Sequence, residues 1–359
     1  MLLKNHGNLL PLDLKKLQRI AVIGPNASDA HLGGYSRPSQ DGVSLLEGIR
    51  KRVGSSAQVF FAKGCDIIAA SSAPENAPPQ LPNPATQMDS IRSAVELARK
   101  SDVAILVIGG NEATCREAWG DNHRGDVDSL DLIGFQNQLV QAVVETGTPT
   151  IVFLINGRPL SITYIADRVP AILEVWYLGQ DGGTAAAQVL FGDVNPGGKL
   201  PITFPHSVGE LPAYYNHKPS AQQPYLFEDP APLFAFGHGL SYTTFRFSNL
   251  TLSPRRISTH GDTIVSVDVT NTGSREGDEI AQLYIRDKIS SITRPVKELK
   301  AFQRIRLKPG ETRTLRFRLT SVELGFYGSE MRWVVEPGEF EIMAGASSLS
   351  TISASLEVV

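Results

Sequence analysis

The sequence predicts an α/β sandwich domain with a mostly parallel sheet, followed by an all-β sandwich. Up to about residue 204, short apolar runs alternate with segments of helical periodicity, a pattern typical of strands joined by helices. A proline-rich stretch with little periodicity then interrupts the chain, and from Phe245 onward apolar and polar residues alternate between Gly, Pro and Asn turns. We therefore expect an α/β domain over 1–204, a linker over 205–244 and a β-sandwich over 245–359.

The α/β domain is predicted from apolar runs that end at Gly, Pro or Asn, which is typical of buried parallel strands. Between these runs, apolar residues recur at the spacing of a helix face. The predicted strands are Arg19–Ile23, Gln58–Ala62, Asp102–Ile108, Pro149–Ile155 and Ala171–Tyr177, with a short strand at Lys199–Phe204. The predicted helices are Ser44–Arg52, one through Met88, Ile91, Val95 and Ala98 with Thr86 as its cap, one from near Ser129 to Val144, and Gly182–Leu190. Trp176, within an apolar run, is expected in the core.

The second domain is predicted from short alternating segments separated by turn residues. These strands are Thr263–Gly273, Glu279–Arg286, Arg313–Leu319, Met331–Val335 and Glu339–Met343.

Composition excludes several classes of partner. With 34 basic and 37 acidic residues, the net charge of −3 gives no electrostatic basis for binding nucleic acid or an anionic membrane. The two cysteines, Cys65 and Cys115, lack the spacing of a metal site or a disulfide framework, so we expect no metal and no cofactor. The first residues lack the apolar core of a signal peptide, and no run reaches the ~20 apolar residues of a membrane span, which predicts a cytoplasmic chain as written.

The segment Gly109–Asp126 is the strongest candidate for chemistry. It follows a strand buried on both faces, and ligands of open α/β sheets bind at the carboxyl ends of strands. Glu112 and Glu117 lie five residues apart in it, and a carboxyl desolvated by a bound ligand can hold a proton for a leaving group near neutral pH. The residues alone leave open the alternative of an ordinary solvated loop. A second glycine-containing loop carries Tyr35, which is either a crevice-lining residue or an ordinary surface residue.

Five motifs carry a family resemblance that runs in order over essentially all 359 residues. Together they resemble the C-terminal half of family 3 glycoside hydrolases of the β-glucosidase type, including its fibronectin type III-like domain. The motifs are Leu2–Leu12, Asn156–Pro159, Leu190–Pro201, Phe234–Tyr242 and Pro295–Phe302.

The resemblance implies hydrolysis of terminal β-linked sugars with retention of configuration, on an oligosaccharide or simple glycoside. Retention requires two carboxyls roughly 5 to 5.5 Å apart, one a nucleophile and the other a general acid and then a base. The resemblance assigns the acid/base to Glu117, with Glu112 as the competitor. The residues proposed to contact substrate are Arg116, Trp119, His123, Arg124 and Tyr35.

The family's nucleophile is an aspartate on a preceding (β/α)8 barrel, a fold of about 250 residues that this sequence does not supply. Three hypotheses follow. The chain provides the acid/base to a barrel on another chain; it is a non-catalytic carbohydrate-binding or interaction module; or it hydrolyses sugars with carboxylates of its own, such as Asp121, Asp126 or Asp128. We favour the first as the family function and the second as the behaviour of the isolated chain, which we expect to be inactive. A face that a barrel normally covers makes the chain a candidate homo-oligomer.

Overall fold

The computed structural model describes residues 1–36, 42–69, 79–118, 125–221, 226 and 229–359. Contacts divide this part of the chain into two compact units, Met1–Val194 with Pro205–Gly209, and Asn195–Phe204 with Glu210–Val359. Most of the segment predicted as a linker therefore makes its contacts within the second unit. The domain bounds expected from the sequence stay a prediction.

The first unit is built on a six-stranded sheet in the order β1-β6-β5-β4-β2-β3. Strand β1 pairs antiparallel with β6, and the other neighbours are parallel, so the predicted mostly parallel sheet is confirmed. Every residue of β4 and β5 is buried, as expected of strands covered on both faces. The strands are β1 Leu2–Asn5, β2 Arg19–Ile23, β3 Gln58–Ala62, β4 Val103–Gly109, β5 Thr150–Ile155 and β6 Ala171–Glu174.

Helices connect these strands, and α1 packs against α5 while α2 packs against α3. Helices α1 and α5 approach closely because Gly48 has no side chain at their contact. A Cβ on Gly48 would lie 2.0 Å from the Gly183 oxygen. Helix α1 begins with a capping box between Ser44 and Glu47. The α-helices are α1 Leu45–Val53, α2 Pro84–Arg99, α3 Gln136–Val144, α4 Thr163–Arg168 and α5 Gly182–Leu190, with 3₁₀ turns at His6–Asn8, Leu14–Lys16 and Val208–Glu210.

Two helix starts differ from the predictions. Thr86 is not the cap of α2, because the Asn83 side chain accepts the Ala85 N–H and Pro84 occupies the first helical position. Helix α3 begins at Gln136 rather than near Ser129, since Gly134 has a φ of +72° that no right-handed helix contains.

Two predicted strands are also corrected. Strand β6 ends at Glu174 rather than Tyr177, because Trp176 adopts a positive φ of 51°. Segment 199–204 is not a strand: Phe204 forms an isolated bridge with Phe234, and Leu200 makes backbone hydrogen bonds to Gly237 and His238. Its Pro201 has no N–H to donate to a ladder.

The second unit contains two larger sheets, in the orders β11-β10-β15-β16-β8 and β12-β9-β7, and a β13-β14 hairpin. Their inward residues form one apolar core that includes Val267, Leu283 and Phe340. The predicted β-sandwich is confirmed, although β7, β11 and β16 were not singled out by the sequence pattern. The elements are β7 Phe245–Ser253, β8 Arg256–Ile257, β9 Thr263–Asn271, β10 Gly277–Asp287, β11 Glu298–Leu307, β12 Thr312–Leu319, α6 Ser321–Leu324, β13 Phe326–Tyr327, β14 Trp333–Val334, β15 Gly338–Gly345 and β16 Thr351–Val358.

Two of the family-like motifs bind each other within the second unit. The Asn195 side chain accepts hydrogen bonds from the Ser241 hydroxyl and the Tyr242 N–H at 2.8 and 2.7 Å. Lys199 donates to the Gly239 carbonyl at 2.8 Å and pairs with buried Glu279. Segments about forty residues apart in sequence are therefore held together by polar side chains of both motifs.

Candidate active site

The loop that follows β4 leaves the sheet at the carboxyl edge. Gly24 and Gly109, at the ends of β2 and β4, have φ values of +134° and +133°, and a Cβ on either would lie 2.0 Å from a backbone oxygen of the next strand. Only glycine fits this approach. Buried Asn26 then donates to the Gly110 carbonyl at 2.8 Å, which fixes the start of the loop.

Glu112 is tied to the loop that follows β2. Its Oε2 lies 3.1 Å from the Nδ1 of His31, and its Oε1 accepts the Gly33 N–H at 3.3 Å. The side chain of His31 is 9% exposed and that of Glu112 is 36% exposed. The hydrogen bond from His31 is the main cause that lowers the pKa of Glu112 to about 2. The Glu112 carboxyl is therefore ionised at neutral pH.

The protonation of His31 is constrained by this contact. A carboxylate only accepts hydrogen bonds, so Nδ1 of His31 carries a proton. The other ring nitrogen, Nε2, is buried without a hydrogen-bond partner in the part of the chain that the structure describes. Sequence reasoning missed His31, because nothing in its neighbours marks it as a partner of a residue 81 positions away.

Glu117 has different surroundings. Its side chain is exposed, and among the described residues no hydrogen-bond partner of its carboxylate is found. The backbone on both sides is held: Asp126 Oδ1 accepts the Ala118 N–H at 3.0 Å, and Arg158 Nη2 donates to the Arg116 carbonyl at 2.9 Å. Glu117 thus combines an open carboxylate with an anchored main chain.

Cys115 lies between the two glutamates and is a free thiol. A Cβ on Gly110 would lie 2.3 Å from its Sγ, and a Cβ on Gly157 would lie 3.1 Å from its Cβ and 3.2 Å from Tyr177 Cε2. Both glycines therefore make room for Cys115 and the Tyr177 ring. Burial raises the pKa of the Tyr177 hydroxyl, so it stays protonated.

Glu174 is a buried carboxyl at the same edge that sequence reasoning did not select. It ends β6, it is fully buried, and its Oε1 accepts the Trp176 N–H at 2.9 Å. Burial raises its pKa to about 8. The sequence does mark Glu174 in one way: it is a single glutamate within an apolar run. Trp176, expected in the core, is only half-buried.

The remaining predicted residues differ in exposure, and four of them lie outside the described residues. Tyr35 is fully exposed, and Arg116 is half-buried. Asp126 and Asp128 are exposed. Trp119, Asp121, His123 and Arg124 lie outside the described residues.

The described residues contain no group of three or more His, Cys, Asp or Glu side chains that could hold a metal ion. They also contain no helix with both the length and the apolar character needed to span a membrane.

The fold and its motifs match two known domains of glycoside hydrolases. Residues 1–242 match the glycosyl hydrolase family 3 C-terminal domain, and residues 279–348 match the fibronectin type III-like domain. The chain belongs to glycoside hydrolase family 3 and corresponds to the C-terminal half of its β-glucosidase and β-xylosidase members.

Relatives and solved structures agree with this assignment. A β-xylosidase of Formosa agariphila is 46% identical over 98% of this chain, and a periplasmic β-glucosidase of Salmonella typhimurium is 38% identical over 100%. The chain spans about half of these relatives, 48% of each. A β-glucosidase structure from Erythrobacter marinus superposes with a TM-score of 0.95 at 42% identity, covering 100% of this chain and 49% of that one. A glucose complex of the Listeria innocua β-glucosidase gives 0.85 at 30% identity, covering 99% and 48%.

Proposed function

We propose that this chain supplies the general acid/base of a retaining β-glycosidase site and that Glu117 is the acid/base residue. The observation that carries the proposal is an exposed carboxylate, without a hydrogen-bond partner among the described residues, on an anchored backbone at the carboxyl edge of the sheet in a family 3 chain. An aspartate on a (β/α)8 barrel is the proposed nucleophile. The barrel is supplied on the same polypeptide or on another one.

The chemistry divides between the two carboxyls. Protonated Glu117 donates its proton to the glycosidic oxygen while the aspartate attacks the anomeric carbon, and the leaving alcohol departs. The Glu117 carboxylate then removes a proton from water, which displaces the aspartate and releases the sugar with its configuration retained. Because the first step needs a proton on the acid at working pH, Glu112, held ionised by His31, suits this role less well.

The substrate is a terminal β-linked glucoside or xyloside, the two sugars named in the relatives. Arg116, Trp119, His123, Arg124 and Tyr35 are the proposed substrate contacts, since guanidinium and imidazole groups bind hydroxyls and aromatic rings pack on sugar faces. Without an anionic partner opposite the acid, residues 1–359 by themselves are expected to be inactive.

Reconstitution with a barrel tests the proposal. The purified chain is mixed with a family 3 (β/α)8 barrel, and a second sample joins the barrel ahead of Met1. Hydrolysis of 4-nitrophenyl β-glucoside and β-xyloside should appear only when both parts are present, and Glu117→Ala should abolish most of it. Glu96→Ala, which removes an exposed glutamate of α2, is the matched control and should keep full activity. No hydrolysis by either the mixture or the fusion would reject the proposal.

A further inference from the structure

Residues 116–118, which include Glu117, lie directly against residues 125–126, and the two segments form a narrow neck. The Ala118 N–H donates to Asp126 Oδ1 at 3.0 Å. The approach is close enough that a Cβ on Gly125 would lie 2.6 Å from the Arg116 oxygen and 2.7 Å from the Glu117 oxygen. These neighbours are backbone atoms, so moving them aside would cost considerable free energy. The backbone of Glu117 is therefore packed directly against Gly125.

Arg158 joins both sides of this neck from a different part of the chain. Its Nη2 donates to the Arg116 carbonyl at 2.9 Å and lies 3.4 Å from the Gly125 carbonyl. One guanidinium nitrogen thus bridges two backbone oxygens that are nine residues apart in sequence. A guanidinium suits this contact, because it presents several N–H donors in a rigid plane.

Arg158 is itself held by the end of β5. Asn156 is fully buried directly after this strand, and its Nδ2 donates to the Arg158 carbonyl at 2.7 Å. The hydrogen bond fixes the turn from which the Arg158 side chain reaches the neck. A continuous series of contacts therefore runs from the rigid sheet, through Asn156 and Arg158, to the backbone of Arg116 and Gly125.

We propose that Arg158 is a positioning residue for the acid/base: it clamps the neck and so fixes the backbone that carries Glu117. Arg158 does not touch substrate in this proposal. It acts through the main chain, and Asp126 and Gly125 close the same neck independently. The catalytic part of this inference rests on the proposed function of Glu117, whereas the clamp itself does not.

The clamp is tested on the chain alone by amide hydrogen exchange at Ala118, measured by NMR. Arg158→Met keeps the length of the side chain but removes its donors, and exchange should become roughly tenfold faster, the effect of losing a charge-assisted hydrogen bond. Arg158→Lys, which retains the charge and a single flexible donor group, should have a smaller effect. Arg168→Met removes an exposed arginine at the end of α4 and serves as the control, with no expected change. An unchanged exchange rate in folded Arg158→Met would overturn the clamp.

A second variant opens the neck without touching Arg158. Gly125→Ala places a Cβ against the Arg116 and Glu117 backbone, so it should accelerate Ala118 exchange even if Arg158→Met proves too unstable to study. Slow, wild-type exchange in folded Gly125→Ala would contradict the close packing on which the inference depends.

Positioning is separated from general folding by the leaving group of the substrate, in the barrel-reconstituted protein. A 2,4-dinitrophenolate departs without a proton, whereas a phenolate depends on the acid. Arg158→Met should lower kcat/KM for phenyl β-glucoside by ~10-fold or more and change that for the dinitrophenyl substrate by less than about threefold. An equal loss with both substrates would overturn the positioning role. If no sample hydrolyses either substrate, the proposed function fails, and the exchange measurements alone decide the clamp.

Discussion

Glu112 and Glu117 lie in one loop, five residues apart, yet their surroundings have opposite consequences. Glu112 accepts hydrogen bonds from His31 and Gly33 on its two oxygens, and these hold its pKa near 2. Glu117 is exposed, and its contacts within the described chain are made by the neighbouring backbone. The comparison teaches that the same residue type in the same loop is an anchor at one position and an exposed carboxyl at the other.

The largest expected difference between the two glutamates is in the rate of hydrolysis. In the barrel-reconstituted protein, Glu117→Ala should lower kcat/KM for phenyl β-glucoside by ~10²–10⁴-fold, the usual contribution of a positioned proton donor. Glu112→Gln should lower it by less than about tenfold, through loosening of the loop. Initial rates at matched protein concentrations measure both.

Azide sharpens the same comparison. It attacks a glycosyl-enzyme without needing a general base, so it should restore turnover of the dinitrophenyl substrate by Glu117→Ala and form a glycosyl azide. Azide should not produce a comparable increase in the turnover of this substrate by Glu112→Gln. If Glu112→Gln lost more kcat/KM than Glu117→Ala, or if azide restored its turnover, Glu112 rather than Glu117 would be the acid/base.

Glu174 extends the comparison to a carboxyl that solvent does not reach, and the second-largest effect is expected there. Burial raises its pKa from 4.5 to about 8, so between these values the folded state holds a proton that the unfolded state has lost. The free energy of unfolding should therefore fall as the pH rises from about 5 to 8, by up to about 5 kcal/mol. Urea unfolding at several pH values measures this dependence.

Glu174→Gln is the matched variant, because an amide oxygen still accepts the Trp176 N–H but the side chain does not titrate. Its free energy of unfolding should decline less than that of the parent protein over the same pH range. Identical pH profiles of the two proteins would mean that Glu174 is not the titrating group.

The smallest effect concerns the anchor of Glu112. His31→Ala removes the main cause of its low pKa, so its titration, followed by carbon NMR, should move up toward the ordinary value of 4.5. A lowered pKa stabilises the fold above the ordinary value, and this contribution is lost as the pH falls toward 2. His31→Ala should therefore show a weaker loss of stability in acid.

His31→Gln provides the control for this titration. Its amide N–H can still donate to Glu112, so the pKa should move less than in His31→Ala. An unchanged titration in His31→Ala would show that another group holds the Glu112 carboxylate.

Several elements of the fold were accessible from the sequence because their signals are local. The continuous apolar run of β4 and the small-residue helix α5, Gly182–Leu190, were found near their observed bounds. The start of α3 and the end of β6 were misplaced. The positive φ angles of Gly134 and Trp176 decided those boundaries, and periodicity does not report backbone angles.

By itself, the sequence determined the two fold classes and their order along the chain, the family, and the loop that carries the candidate acid, because each is encoded in neighbouring residues or motifs. Only the tertiary structure decided which charged groups meet. His31 reaches Glu112 across 81 positions and Arg158 reaches Arg116 across 42, because the parallel sheet brings the carboxyl ends of its strands to one edge. Burial and hydrogen bonding there, rather than spacing in the chain, set which carboxyl is ionised and which is left open.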